Sequence, residues 1–533
     1  MKKTILTTII GTIFMFSAQA QLLRTTVAQG EIEGIEHNGF ALYKGIPYAE
    51  APVGKLRWKA PVPKKTWKGI YKADKWGNRP PQMNDPNQYG NEIPMSEDCL
   101  YLSVETPAKS KDEKLPVFVM IHGGGFLTGS YAGTMDHFVR EGIIYVSIEY
   151  RLGHLGFMPH PELSKENKKG VSGNYGLLDQ IMALQWIHDN IAAFGGDPER
   201  VTIAGESAGG ISVSILCASP LAKGLFSGAI SESGSSFLPL KVEGNNVPII
   251  QYGMNTVKDG EQEGVEFQKQ LGAKNIQEMR KLPTEKFIQG YDGKHFGPIV
   301  DGYVILDDQV TLYKQGKFNN VPILLGYNSD EGALFESPNI TRKELETWAR
   351  ATFASKWVDF YNAYPIYNVS AYYAMCDASR DTKFGWGTYK WATLQSEKDN
   401  NVYFYYFDQD CENTILRSTR GGATHVAEMA FIYESKFGNG KMTKVDQQMS
   451  KIMTEYWINF TKTGDPNKSL KTDSLEYNCS KLPLWTPYKS NEPTVMYMRN
   501  GFHLDTLPNQ KQMEFWDHHF DYQRQYNEYK NDK

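Results

Sequence analysis

A chain of 533 residues, 41% apolar and 13% aromatic, carries enough hydrophobic material for a sizeable core, which excludes a disordered or fibrous protein. Its formal net charge of −4 excludes the basic footprint of a nucleic-acid or anionic-membrane binder. The first twenty residues stand apart: "MKK" is a short positive lead, "TILTTIIGTIFMF" an apolar run, and "SAQA" ends in a small-x-small pattern. They read as a signal peptide cleaved after Ala20, giving a periplasmic or secreted protein. The apolar run is too short for a spanning helix, and no later stretch is long and apolar enough to span a membrane. Residues 21–533 contain no long linker, repeat or low-complexity tract and are expected to form a single large domain.

Further along, "PVFVMIH" (116–122) and "IIYVSIEY" (143–150) are continuous apolar runs of the kind buried parallel strands have. Between 177 and 196, Leu177, Ile181, Leu184, Ile187, Ile191 and Phe194 recur three or four residues apart, predicting an amphipathic helix stopped by Gly195-Gly196. "RVTIAG" (200–205) predicts a strand and "ISVSILCAS" (211–219) a helix; "VPILLGYN" (321–328) and "NVYFYYFD" (401–408) predict two more strands. Strands alternating with helices predict an α/β fold with a largely parallel sheet. Five cysteines (Cys99, Cys217, Cys376, Cys411, Cys479) are too few for a disulfide scaffold, and their odd number leaves at least one thiol unpaired. No spaced Cys/His set suggests a metal site, and His518-His519 is expected at the surface.

The densest chemical signal is "VTIAGESAGG" (201–210). A G-x-S-x-G run between a strand and a helix predicts a tight turn that presents Ser207 as a nucleophile. A serine needs a base, and the base needs an acid to orient it; in this fold class they follow in the order serine, acid, histidine. Of the late histidines (His425, His503, His518, His519), His425 in "RGGATHVAEM" sits in a glycine-rich loop beyond a strand and is the best base. "LLGYNSDEGALF" offers Asp330 and Glu331 as acids, and composition does not choose between them; Asp301 in an Asp-Gly pair reads as a turn. "IHGGGF" (121–126) matches the glycine motif whose amides stabilise an oxyanion, with Gly124 and Gly125 as donors and Ala208 as a third. Neither the Gly-Lys-Ser/Thr nor the G-x-G-x-x-G pattern of a phosphate loop is present there.

Many further blocks, from about residue 25 to 517, resemble the type-B carboxylesterase, cholinesterase-like family of the α/β-hydrolases. They include "YKGIPYAEAPVGKLRWKAP" (43–61), "SEDCLYLSV" (96–104), "EYRLGHLGF" (149–157), "GLFSGAISESGS" (224–235), "GYNSDEG" (326–332) and "ATHVAEMAFIY" (423–433). The resemblance implies a large, mostly parallel sheet flanked by helices, with long insertions forming a substrate gorge. It implies Ser207 as nucleophile, His425 as base and Glu331, rather than Asp330, as acid, with Gly124, Gly125 and Ala208 as the oxyanion hole. Glu206 then lies near this triad and helps stabilise the imidazolium, and Ser233 is a hydrogen-bonding neighbour. Phe296 stands where the family shapes its acyl pocket, with Lys294 as a weaker candidate for contacting an acidic substrate. Trp386 and Trp391 read as core.

This sequence also departs from the family. Pro80 stands where the family places the partner of Cys99, so that loop disulfide is expected to be missing. The loop 81–95 has no tryptophan to hold a quaternary ammonium, which disfavours choline esters. Glu149 replaces the usual asparagine. The expected activity is hydrolysis of a small-molecule carboxylic ester through an acyl-enzyme, with no metal or other cofactor. The alternatives are a non-catalytic binding module, or the same machinery acting on an amide, thioester or carbonate.

Overall fold

The computed structural model describes residues 22–83, 92–130, 133–240, 254–288, 296–353, 356–365, 370–398, 401–410, 418–433, 442–468 and 483–531. The segment read as a signal peptide, residues 1–20, and Lys294, Cys411 and Cys479 lie outside the described residues.

Among the described residues, an eleven-stranded sheet organises the molecule. In chain order its strands are β1 (Ile35–His37), β2 (Phe40–Pro47), β3 (Tyr101–Thr106), β4 (Leu115–Ile121), β5 (Ile144–Ile148), β6 (Gly196–Glu206), β7 (Gly228–Glu232), β8 (Ile323–Asn328), β9 (Val402–Phe407), β10 (Thr494–Met498) and β11 (Phe502–Thr506). In space they run β11-β10-β9-β8-β7-β6-β4-β5-β3-β2-β1. All pairings from β10 across to β5 are parallel, while β11, β3, β2 and β1 pair antiparallel at the two edges. The central strands are buried on both faces, which is why β4, β5, β8 and β9 read as unbroken apolar runs rather than alternating ones.

The helical spacing seen in the sequence becomes α1 (Tyr175–Asn190), with a 3-10 turn, Ile191–Phe194, carrying the apolar stripe onward. Gly195 ends it in the left-handed conformation at φ 83°, and Gly196 already belongs to β6 rather than to the stop signal. The helix after Ser207, α2 (Ala208–Ala218), is almost wholly buried. Trp386 and Trp391 are fully buried in the core, as expected. Cys99, Cys217 and Cys376 are buried free thiols, so the missing family disulfide is borne out. Of the two C-terminal histidines expected at the surface, His518 is exposed, but His519 packs its ring against Phe353, Trp516 and Phe520. Its helix, Gln510–Asn531, turns an aromatic face inward there.

Candidate functional site

Five neighbouring parallel strands, β9, β8, β7, β6 and β4, end side by side, and each delivers one part of the site just past its carboxyl end. Such strand ends are where open α/β sheets bind ligands. The loop beyond β9 brings His425, β8 leads to Glu331, β7 to Ser233, β6 to Ser207, and β4 to the glycines 123–125.

The turn at Ser207 explains its run of small neighbours. Ser207 has φ 57° and ψ −122°, a strained conformation for a side-chain-bearing residue. Its N–H donates to Glu232 O at 2.9 Å, tying the turn to β7. A methyl at Gly209 would lie 2.1 Å from Ile121 O, and one at Gly205 would lie 2.4 Å from the Gly209 backbone. Neither fits without moving a strand. The glycine loop is pressed equally close: a Cβ on Gly123 would stand 2.6 Å from Glu206 O and 3.2 Å from Ser207 Cβ. Backbone therefore meets backbone beside the serine. Gly124 and Gly125 take φ 99° and 65°, and a Cβ on Gly125 would meet nothing within 4 Å, so this corner opens outward.

Side chains of Ser207, His425 and Glu331 form one hydrogen-bonded line. His425 Nε2 lies 3.0 Å from Ser207 Oγ, and Nδ1 lies 2.5 Å from Glu331 Oε2. A proton on Nδ1, facing the carboxylate, leaves the Nε2 lone pair for the serine hydroxyl. Glu331 is fully buried, and its other oxygen accepts from Ser233 Oγ at 2.5 Å and Asn328 N at 2.7 Å. The imidazole stacks on Phe384 (4.5 Å between centroids, 22°) and meets Phe335 at 5.2 Å. Of the three, only Ser207 is appreciably exposed.

The two adjacent acids point in different directions, Glu331 toward His425 and Asp330 toward Arg420. Asp330 turns away from the histidine to accept from Arg420 Nη2 at 2.5 Å and from Ser418 Oγ. Asp301 caps a turn by accepting three backbone N–H groups, those of Tyr303, Val304 and Ile305. His503 lies on the edge strand β11, exposed. Phe296 is buried with its ring against His154 and Phe267.

More buried carboxyls stand around this line than sequence reasoning found. Glu206 Oε1 is 3.3 Å from His425 Nε2. Burial, reinforced by the charges of Glu428, Glu331 and Glu232, pushes its carboxyl well above the usual range. Glu428 accepts from Asn328 Nδ2 and lies 3.5 Å from Ser233 Oγ; burial and the nearby Glu331 charge push it up to about 8. Glu232 accepts from Tyr433 O–H at 2.7 Å and Trp457 Nε1–H at 2.6 Å, and burial pushes it, too, up to about 8. Glu428 follows His425 by three residues, but nothing in one sequence distinguishes it from a solvated helix-start acid. Among the described residues, His37, Glu105 and Asp136 are grouped as metal ligands would be. None belongs to this site, and the Glu105 carboxyl, which accepts from Met135 N–H at 3.0 Å, is pushed up to about 7 by burial.

The carboxylesterase family model matches residues 20–516. Fumonisin B1 esterase of Sphingopyxis macrogoltabida is 32% identical over 485 residues, covering 85% of this chain and 84% of that protein. Para-nitrobenzyl esterase of Bacillus subtilis is 34% identical, covering 83% and 90%, and mouse cholinesterase is 34% identical, covering 80% and 75%. A solved PNB esterase structure superposes with a TM-score of 0.76 at 28% identity, over 93% of this chain and 99% of that one. With an α/β-hydrolase sheet and esterases among its relatives, the chain belongs to the carboxylesterase family and is a carboxylic ester hydrolase.

Proposed function

We propose that the protein is an exported serine esterase in which Ser207 is the nucleophile, His425 the general base and Glu331 the orienting acid. The observation carrying this reading is the line from Ser207 Oγ through both ring nitrogens of His425 to Glu331, at 3.0 and 2.5 Å. As Oγ attacks the ester carbonyl, Nε2 takes the hydroxyl proton and Glu331 faces the imidazolium that forms. The carbonyl oxygen gains negative charge and is met by the amides of Gly124, Gly125 and Ala208, the last at the amino end of α2. The imidazolium then protonates the leaving alcohol, and His425 activates water to release the acid from Ser207. Glu206 stands within ion-pair distance of Nε2, and the imidazolium that forms there favours the ionised form that burial otherwise disfavours. Export rests on the charged, apolar and small-residue segments of the first twenty residues.

The test is hydrolysis of short-chain para-nitrophenyl esters by the mature protein beside Ser207→Ala. The expected result is turnover by the parent, with a burst of alcohol where deacylation is slow, and a fall in the variant to about a thousandth or less. A variant as active as the parent would overturn the assignment of Ser207, and a folded parent inert toward every chain length would overturn the reading as a whole.

A further inference from the structure

Glu149 directly follows β5 and is buried beneath the glycine loop. Its two carboxylate oxygens point to opposite ends of that loop. Oε1 accepts from Ser130 Oγ at 2.5 Å, while Oε2 lies 3.5 Å from His122 Nε2. Residues 122 and 130 bracket the seven residues 123–129, so one side chain holds both ends of the segment that carries Gly124 and Gly125. The neighbours act in the same sense. His122 Nδ1 is 2.9 Å from Gly123 O, and its ring stacks on Tyr150 at 4.4 Å, whose hydroxyl donates to His122 O at 2.8 Å. Gly129 packs so tightly on His122 that a Cβ there would lie 2.2 Å from Nδ1, and Gln82 both accepts from Gly129 N and donates to Gly129 O. Glu149 is itself fixed, its N–H donating to Tyr101 O at 3.0 Å and its carbonyl accepting from Tyr48 O–H at 2.7 Å.

We propose that Glu149 is a positioning residue for ester hydrolysis: its carboxylate clasps the loop 123–129 at its base and so fixes the amides of Gly124 and Gly125 where the oxyanion forms. This rests on the assignment of those amides to the oxyanion. The carboxylate's hydrogen bond to Ser130 and its 3.5 Å contact with His122 join the two ends of the loop, and a loop left open at its base must be ordered again each time charge develops on the substrate. The loss therefore falls on the transition state and not on ground-state binding.

The experiment compares Glu149→Ala, Glu149→Gln and Ser130→Ala with the parent for kcat, KM and affinity for a trifluoromethyl ketone, which forms a tetrahedral oxyanion adduct on the serine. In Glu149→Ala, kcat and ketone affinity should fall together, on the order of 10- to 100-fold, with KM unchanged. Glu149→Gln keeps an acceptor for Ser130 but loses the second one toward His122, and should recover part of the loss. Ser130→Ala should cost less, and its effect should largely vanish in the Glu149→Ala background. A folded Glu149→Ala with kcat and ketone affinity within about twofold of the parent would overturn the proposal, as would a change in KM alone. If Ser207→Ala is inactive while Glu149→Ala matches the parent, only the clasp fails. If Ser207→Ala stays active, the reading beneath it fails.

Discussion

Ser207 and Val426, one residue past His425, both take positive φ, 57° and 66°, and a β-branched residue such as Val426 rarely does. Ser207 and the residue after His425 are therefore held in conformations the surrounding packing must enforce, and the proposed chemistry depends on where protons sit within that frame. Glu331 lies at the end of the line, receiving His425, Ser233 and the Asn328 amide. Replacing it by glutamine keeps the volume but puts an NH₂ where an acceptor was, favouring the wrong imidazole tautomer. Glu331→Gln should lower kcat about 10³- to 10⁴-fold with little change in KM, while Asp330→Asn, whose partners are Arg420 and Ser418, should leave kcat within a few-fold. Steady-state kinetics on one para-nitrophenyl ester decides it, and equal losses from the two variants would contradict the separation of roles.

At the scale of elements, the turn from β6 into α2 works because backbone from β4 runs against it. Gly209→Ala would drive a methyl into Ile121 O, a strand carbonyl with no freedom to retreat. The expected outcome is loss of soluble, active protein, or at minimum a steep fall in melting temperature with kcat down at least about tenfold, followed by thermal unfolding and ester turnover. This part of the molecule was legible in the sequence. The glycine spacing around Ser207, the apolar runs of β4, β5, β8 and β9 and the period of α1 each reflect a local rule. Less legible was β7, "GAISE", five residues with buried Ser231 and Glu232, which has neither alternation nor an apolar run to betray it. Asp330 and Glu331 are neighbours of like chemistry, and only the resemblance chose between them, because the direction each points is set by the partners waiting on either side. Glu428 escaped for the same reason, and Glu149 stood out only as a departure from the resemblance, because the contacts of both side chains are with distant segments.

For the whole molecule, the cluster of buried carboxyls has a cost that depends on pH. Glu232 is pushed up to about 8 from an ordinary 4.5 by burial, so between those values the folded protein holds a proton that the unfolded chain has released. Stability therefore falls as pH rises through this window, by up to about 1.4 kcal/mol per pH unit for one such group, and the loss is complete above about pH 8. Glu232→Gln keeps an oxygen for Tyr433 and Trp457 but carries no titrating proton. Denaturation midpoints from pH 5 to 9 should fall less steeply in the variant, which gains on the parent as pH rises; parallel curves would refute the assignment.

Ser207 and His425 lie 218 residues apart in the chain, joined across β6 to β9. On the proposed assignment, a nascent or truncated polypeptide that has completed the turn at Ser207 thus has no base to deprotonate it, and is chemically silent until β9 and the loop beyond it have docked. On that assignment, turnover begins only when chain segments more than two hundred residues apart have come together, so its gain reports the docking of β9 and the loop beyond it.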